Sequence, residues 1–582
     1  MPRLALILCA LACTHAPASP ASSDPAARLR ALADQYTDGL FAADPILATQ
    51  SGDSRFDDKL PDAISPAGRA RIRALHETTR ARLLAISRGQ LSGEDALTWD
   101  VLDNLTQDGI DGVTWDDHLM PVEQLGSLPV ALPVIGSGTG THPFKTVADY
   151  QHFLARMDAF DGWVSQAIEN LAEGMKAGLT RPRPVMERVL PQLASVAGKQ
   201  PEETAFWGAI KLMPASFSEA DRARLTAQYR SMLEGRLIPA YQRLHGFLKD
   251  TYLPACRATT ALEALPDGKE RYAYRVRLYT TSPLDAHQIH ELGLREVARI
   301  LGEIEQLRVK EGFAGSAPSF LAAMRRDPRG AVRTGDELLA AYGQLKERVK
   351  AQLPELFGHL PRADFEVRLI EPFREDSAPS QYTPASPDGS RPGIFYANAA
   401  GLKDSPARPS QPLFLHEAIP GHHFQIALAS ENAALPRLRR LPFYNAYLEG
   451  WALYAESLGP RLGFYEDAPR RAGALASELF RAMRLVVDTG MHHEGWSREK
   501  AIQYLAATGG YQPDDVTGEI DRYLADPGQA LGYKVGELAI RELRAAEEKR
   551  LGDKFDLRAF HDRVLESGAL PLALLQRKFA AR

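Results

Sequence analysis

Apolar residues recur every three or four positions along most of the chain, which is the spacing of one face of an α-helix. The pattern predicts long helices over residues 25–47, 144–175 (as one helix or two), 221–248 and 283–310. Asp24 is placed to cap the first of these, and Ser282 followed by Pro283 is a typical start for the last. Most of the chain is therefore expected to be helical.

Segments that favour β-strands are few. They lie at residues 274–279, 365–370 and 393–398. The stretch 371–391 is rich in Pro, Ser and Asp and is predicted to be a loop. The predicted fold class is thus mostly α-helical with a small β-sheet.

Composition narrows the class of protein. The chain has 582 residues, of which 45% are hydrophobic and 25% charged, as is ordinary for a soluble globular protein with a large core. A formal net charge of -5 gives no electrostatic case for binding nucleic acid. No internal repeat or long low-complexity linker is present, and we predict a helical N-terminal region at 23–280 and a helical catalytic region at 281–582.

Residues 1–22 have the character of a targeting signal. Arg3 precedes an apolar stretch, Leu4–Ala12, that is too short to span a bilayer, and Ala16–Ala18 is a small-residue cleavage site. Cys13 lies in an imperfect lipoprotein site, so we expect a secreted or periplasmic protein, either free or anchored to a membrane through lipid on Cys13. Only Cys256 lies outside this leader, which leaves no internal disulfide framework.

The strongest chemical signal is the run His416-Glu417-Ala418-Ile419-Pro420-Gly421-His422-His423 in an apolar context. A zinc hydrolase needs neutral imidazoles to hold the metal and a carboxylate to take a proton from the metal-bound water, a role that suits Glu417. A regular zincin helix would place its second ligand at Pro420, which cannot ligate a metal. The Pro-Gly pair predicts a break that turns His422 toward His416, with His423 as the alternative ligand.

A second segment, 444–456, carries two carboxylates two turns apart on nearly one helix face. Carboxylates on an apolar face are costly to bury unless they are paired or bind a metal. We predict Glu449 as the third ligand and Glu456 as the group that orients a ligating imidazole. The alternative is that both are exposed and the aromatic residues form the core. Two imidazoles and one carboxylate suit a single Zn2+ ion best.

Three stretches together resemble the bacterial "domain of unknown function 885" family: the run around His416, the helix 448–456 and the segment 388–398. The resemblance implies a zincin-like helical metallopeptidase with a deep cleft and a glutamate as third ligand, distantly similar to thimet oligopeptidase, angiotensin-converting enzyme and dipeptidyl peptidase III. Those relatives have one or two residues between the Glu and a Gly-His pair. This chain has three before Gly421-His422, which supports His422 as the counterpart.

Zincins bind an extended peptide by pairing it with an edge strand, and 393–398 is the candidate for that strand. On this hypothesis Tyr382, Arg391 and Tyr396 contact the substrate. The alternative is an ordinary buried strand beside a solvated loop.

Amide hydrolysis also needs a hydrogen-bond donor for the tetrahedral oxyanion. His492 and His493, at a predicted helix end, either supply it or are favoured there by the helix dipole. Asp526 is predicted to cap a further helix that carries Tyr533, and the resemblance implies that Tyr533 stabilises the transition state. Arg522 either binds a substrate carboxylate or forms a surface ion pair.

The sequence therefore predicts a zinc-dependent peptidase that acts on short peptides. Two alternatives remain open: a metal-dependent amidase acting on a non-peptide amide, and a metal-dependent binding lipoprotein without catalysis. Glu417 argues against the second, because a site that only binds needs no base there.

Overall fold

The computed structural model describes residues 24–371, 375, 379–386, 391–403 and 405–580. The predicted leader with Cys13 and residues 388–390 of the family segment lie outside the described residues. Within them the chain is mostly helical with one small sheet, which confirms the predicted fold class. In this part of the chain no helix is both long and apolar enough to cross a membrane.

The helices before the sheet are α1 (Pro25–Ala43), α2 (Pro45–Gln50), α3 (Pro66–Leu84), α4 (Gly93–Gly112), α5 (Leu128–Ile135), α6 (Val147–Ala177), α7 (Arg183–Ala197), α8 (Trp207–Lys211), α9 (Glu219–Met232), α10 (Ile238–Phe247), α11 (Leu253–Ala255), α12 (Gly268–Thr280), α13 (Ala286–Lys310), α14 (Ala317–Arg325) and α15 (Gly335–Leu356). Those after it are α16 (Gln411–Glu417), α17 (His422–Glu431), α18 (Asn445–Glu456), α19 (Ala468–His492), α20 (Arg498–Gly509), α21 (Pro513–Ala525), α22 (Leu531–Leu551), α23 (Leu557–Leu565) and α24 (Leu572–Ala580).

Helices are present over all four long stretches predicted upstream, but the stretch 25–47 is divided at Asp44, which ends α1 and caps α2. Asp24 caps α1 by accepting from two backbone N–H groups, as predicted. The segment 221–248 is helical, but a π-helical turn joins α9 to α10. The predicted start of α13 at Pro283 is wrong: Asp285 and Gln288 form a reciprocal capping box that begins the helix at Ala286.

One predicted strand is a helix. Residues 274–279 lie within α12, whose aromatic and β-branched residues produced the strand signal. Tyr272, Tyr274 and Val276 are buried, and α12 packs against α22. Burial of these side chains by tertiary contacts favoured the helix over the intrinsic strand preference.

The sheet has three strands, β1 (Phe365–Leu369), β2 (Gln381–Thr383) and β3 (Gly393–Ala397), in the order β1-β3-β2. β3 pairs in parallel with β1 and antiparallel with β2. The prediction that β3 is an edge strand is therefore wrong, because neighbours occupy both of its edges and all five of its residues are buried. Among the described residues β2 is one of the two edge strands of the sheet, although its segment was predicted to be part of a loop.

Two helix pairs pack closely along their lengths, α13 with α19 and α18 with α22. The second pair meets at Gly450 and Gly536, where a Cβ on Gly450 would come within 2.5 Å of the Gly536 backbone. Glycine at both positions lets α22 approach α18 closely, which brings Tyr533 near the carboxylates of α18.

Candidate metal centre

The histidine motif is split between two helices. Ser410 caps α16 through its hydroxyl, which accepts from the Leu413 N–H. α16 ends at Glu417, and α17 begins at His422. A Cβ on Gly421 would lie 1.9 Å from the His416 carbonyl oxygen, so the chain can turn back this tightly only at glycine. The indole of Trp451 donates to the Pro420 carbonyl at 2.8 Å and ties the break to α18. The break predicted from the Pro-Gly pair is present.

The break brings two imidazoles to one carboxylate. His416 Nε2 lies 3.2 Å and His422 Nε2 3.3 Å from Glu449 Oε2. The two rings are 4.8 Å apart and nearly perpendicular, at 83°. One ligand atom from each of the three residues lies within 4.8 Å of the others, the only such cluster of potential ligands in the part of the chain that the structure describes.

The second nitrogen of each imidazole is occupied by an oxygen acceptor. His416 Nδ1 donates to Glu456 Oε1 at 3.0 Å, and His422 Nδ1 lies 3.3 Å from Gln425 Oε1. These contacts leave the Nε2 lone pairs directed at the cluster, the arrangement that carboxylate–histidine–metal sites use. Glu456 is fixed in turn by the Ser477 hydroxyl, which donates to its Oε2 at 2.7 Å.

The charges of the cluster require a positive partner. Burial lowers the pKa of His416, but the hydrogen bonds to Glu449 and Glu456 outweigh burial and raise it to about 9. Burial likewise opposes ionisation of Glu449, yet the two histidines hold its pKa well below the usual range. Either a bound proton or a cation satisfies such a group, and a divalent ion would displace the proton. The donor set and its orientation fit Zn2+.

Glu417 lies beside this cluster without belonging to it. Its side chain lines the same cavity as the three ligand candidates and is 9% exposed. Burial raises the pKa of this carboxyl above its ordinary value, partly offset by the two nearby histidines. A carboxyl with a raised pKa is suited to accept and then return a proton near neutral pH.

The structure chooses His422 over His423 as the partner of His416. His423 accepts from the Tyr382 hydroxyl at 2.9 Å and donates to the Ala363 carbonyl at 3.1 Å, so both of its ring nitrogens are engaged. Burial lowers its pKa to about 4, which keeps the ring neutral. The alternative assignment of His423 as a ligand is therefore wrong for this geometry.

His492 and His493 do not reach the cluster or line its cavity. His492 is fully buried: the Leu262 N–H donates to its Nδ1 at 3.0 Å, and its Nε2 donates to the Tyr523 carbonyl at 2.9 Å. His493 pairs with Glu263. The predicted role of these two histidines as oxyanion donors is wrong, because the ring nitrogens of His492 already satisfy buried backbone groups.

Tyr533 is the donor candidate that the structure does bring to the site. Its ring stacks on His416 at 6.2 Å between centroids and 10° between planes. The predicted cap at Asp526 is wrong, since Asp526 ends α21 and accepts from the Tyr279 hydroxyl instead. Tyr533 therefore lies in the first turn of α22, where Arg522 donates to its hydroxyl at 3.2 Å.

These groups open onto a cavity of about 2380 Å3. The cluster, Glu417, Tyr533 and the four predicted substrate-binding residues all line it, the last being Tyr382, Arg391, Tyr396 and Arg522. β2 also lies on this wall, and it provides the sheet edge that was predicted for β3.

Sequence reasoning missed further charged residues of this wall, among them Arg481, Arg484 and Glu519. Arg481 and Arg484 come from α19, and Glu519 comes from α21. The signal for the two arginines was available, since both interrupt an otherwise apolar stretch of α19. Nothing in the sequence indicated that they lie near His416.

Comparisons with known proteins agree with the fold. The chain matches, over residues 45–579, the model of a family described as "Bacterial protein of unknown function (DUF885)". It is similar to the crystal structure of "the putative lipoprotein from Colwellia psychrerythraea", with 31% identity, a TM-score of 0.90, and coverage of 96% of this chain and 99% of that one. A "putative lipoprotein of unknown function from Shewanella oneidensis" is 18% identical over 94% of this chain and 99% of its own, with a TM-score of 0.68, and shows the fold alone. No functionally curated protein matches.

Proposed function

Because the chain belongs to the DUF885 family of bacterial proteins, whose function is unknown, we propose its activity from the site itself: zinc-dependent hydrolysis of peptide bonds, in the manner of a zincin-like metallopeptidase. The observation that carries the proposal is the position of Glu417. It is a buried carboxyl beside three convergent ligand atoms and has access to the cavity. A site that served only to hold an ion would not need it.

Each residue then has one task. His416, His422 and Glu449 would hold the ion, which when bound supplies a Lewis acid that acidifies water and polarises a carbonyl. Glu417 takes a proton from the attacking water and gives it to the leaving amine. The water hydroxyl joins the carbonyl carbon and the C–N bond breaks, so one water is consumed per bond.

Tyr533 would stabilise the oxyanion, and Arg522 would orient the Tyr533 hydroxyl for this role. Both line the cavity, and the ring of Tyr533 lies against the ligand His416. Because Arg522 donates to the Tyr533 hydroxyl oxygen, the phenol proton is directed away from Arg522 and is available to a developing negative charge. These two residues replace His492 and His493 in the proposed mechanism.

The peptide would lie along β2. This strand is an edge of the sheet within the described residues, and residues 380–385 line the cavity. An extended chain can add to such an edge through backbone hydrogen bonds. The proposed substrates are short peptides rather than folded proteins.

We also propose that the protein is exported and carries lipid on Cys13. Both structural neighbours are described as a "putative lipoprotein". Intact-mass measurement on protein from its native host tests this: a mature chain that begins at a lipidated Cys13 is expected, and an unprocessed N-terminus contradicts it.

Substitution Glu417→Gln tests the peptidase. Loss of the base should lower peptide hydrolysis about 10²–10⁴-fold while zinc content stays at one ion per chain, because the side chain at position 417 is not among the ligands. Cleavage of a mixed-length peptide library is read by mass spectrometry, and zinc by elemental analysis. Undiminished cleavage by the variant would refute the mechanism, and no cleavage by zinc-loaded wild type would move the proposal to a non-peptide amide.

A further inference from the structure

Two arginines contact Tyr533 on the wall of the cavity, and a third lies one helical turn from one of them. Arg522 donates to the Tyr533 hydroxyl, the guanidinium of Arg484 lies 4.5 Å from the centre of the Tyr533 ring, and Arg481 lines the cavity beside them. This group of Arg481, Arg484 and Arg522 is called the arginine cluster below.

The acidic residues that pair with the arginine cluster do not balance its charge. Within the described residues, Arg484 and Arg522 share one carboxylate, that of Glu519, at 3.3 Å and 3.8 Å. Arg481 lies 3.6 Å from Glu456, whose charge already serves His416. The three arginines therefore carry more positive charge than these two carboxylates balance. Because the guanidinium groups are poorly solvated, a bound anion would stabilise them.

Arg484 has donors that no described group satisfies. It is 5% exposed, and its Nε and Nη1 atoms are buried without a hydrogen-bond partner, as is Nε of Arg481. The rings of Phe480, Tyr523 and Tyr533 cover its guanidinium at 5.0, 5.9 and 4.5 Å. Buried guanidinium donors are seldom left unpaired, and arginines are the usual partners of carboxylates.

The arginine cluster lies close to the bond that the proposed function would cleave. Tyr533 contacts both Arg484 and the ligand His416, with ring distances of 4.5 Å and 6.2 Å. An anion held there is separated from the metal ligands by roughly three residues of extended chain or fewer. A charged group that must lie a fixed, short distance from the cleaved bond is most simply the end of the chain.

We propose that the arginine cluster binds the free C-terminal carboxylate of the substrate, so that the protein cleaves short peptides near their carboxyl end. The cleavage near the carboxyl end rests on the proposed function. The binding of a carboxylate by the arginine cluster does not depend on it. An acidic side chain offers the same chemistry from another source, and the experiment separates the two.

The experiment compares three substrates on the zinc-loaded protein: acetyl-Ala-Ala-Ala, its C-terminal amide, and acetyl-Ala-Ala-Glu-amide. The free acid should have a kcat/KM on the order of 10²-fold above that of its amide, as expected for charge-assisted hydrogen bonds to a carboxylate. The Glu-amide should resemble the plain amide. Equal rates for acid and amide, or a preference for the Glu-amide, would overturn the inference while leaving the peptidase intact.

The Arg522→Gln variant tests whether the preference for the free acid depends on the arginine cluster. Arg522 also contacts Tyr533, so both substrates are expected to slow, but the acid-to-amide ratio should fall to within about threefold of unity. Arg522→Lys keeps the charge and should retain part of the ratio. Arg188→Gln is the matched control, because Arg188 lines the same cavity but pairs with Asp521, and its ratio should match wild type.

Binding measured without turnover separates this inference from the proposed function. Calorimetry on the Glu417→Gln protein should show that acetyl-Ala-Ala binds more tightly than its amide, and that Arg522→Gln removes the difference. If no peptide is cleaved but this difference is present, the carboxylate subsite stands and the peptidase proposal fails. If acid and amide bind equally, the subsite is refuted.

Discussion

Two histidine pairs of this chain each lie close to a glycine at a helix end, but they have different surroundings in the structure. His422-His423 directly follows Gly421, and His492-His493 lies close to Gly490 at the end of α19. At the first pair the ring of His422 meets a carboxylate and a second imidazole at the cavity wall. At the second pair His492 is sealed in the core with a pKa lowered by burial to about 3.

The difference lies in what the ring nitrogens contact. His492 connects the backbone of residue 262 to the last turn of α21, which replaces the partners that a helix end lacks. His416 and His422 each use one nitrogen on a side-chain oxygen and direct the other at Glu449. A histidine whose second nitrogen is left without a backbone partner is the one that can ligate a metal.

A graded series of variants gives the largest expected effect. His422→Ala removes a proposed ligand and should abolish stoichiometric zinc binding. Glu456→Gln keeps all three ligands but weakens the orientation of His416, so zinc affinity should fall about 10–100-fold. His423→Gln should leave zinc content unchanged, because His423 contacts Tyr382 and Ala363 rather than the cluster.

Zinc content by elemental analysis and affinity by chelator competition check this series. Thermal unfolding of each variant controls for loss of fold. If His423→Gln lost its zinc while folded and His422→Ala kept it, the two adjacent histidines would have to exchange their assigned roles.

The second pair should respond in stability rather than in metal binding. His492→Ala leaves the Leu262 N–H and the Tyr523 carbonyl unpaired and opens a cavity, which should lower the free energy of unfolding by about 3 kcal/mol. Urea denaturation measures the change, and zinc content should remain that of wild type. A folded His492→Ala protein that binds no zinc would contradict the separation of the two pairs.

The smallest effect is expected at His493. It pairs with Glu263 near the surface, with 35% of its side chain exposed. His493→Ala should therefore change the unfolding free energy by less than about 1 kcal/mol. His493→Ala is the control for His492→Ala in the same denaturation experiment. If both variants lost the same unfolding free energy, the His493–Glu263 ion pair would be important for stability.

The sequence indicated the parts of the site that local rules govern. Pro420 disrupts a helix interior and Gly421 weakens one, so the break between α16 and α17 followed from backbone chemistry. Glu449 and Glu456 lie two turns apart on α18, and helix geometry alone placed them on one face. In the same way, Asp24 met the conditions for a cap without help from the rest of the fold.

Contacts between distant segments decided the rest. β3 became the central strand because β2, a segment without strand character in the sequence, pairs with its free edge. Residues 274–279 became helical through burial, and Arg484 reached Tyr533 only because α19 and α22 pack together. The amino-acid sequence by itself determined most of the helices, the break and the ligand types, since these depend on neighbours a few residues apart. Only the tertiary structure decided which histidine nitrogens were left for a metal, because their competing partners come from residues up to 230 positions away.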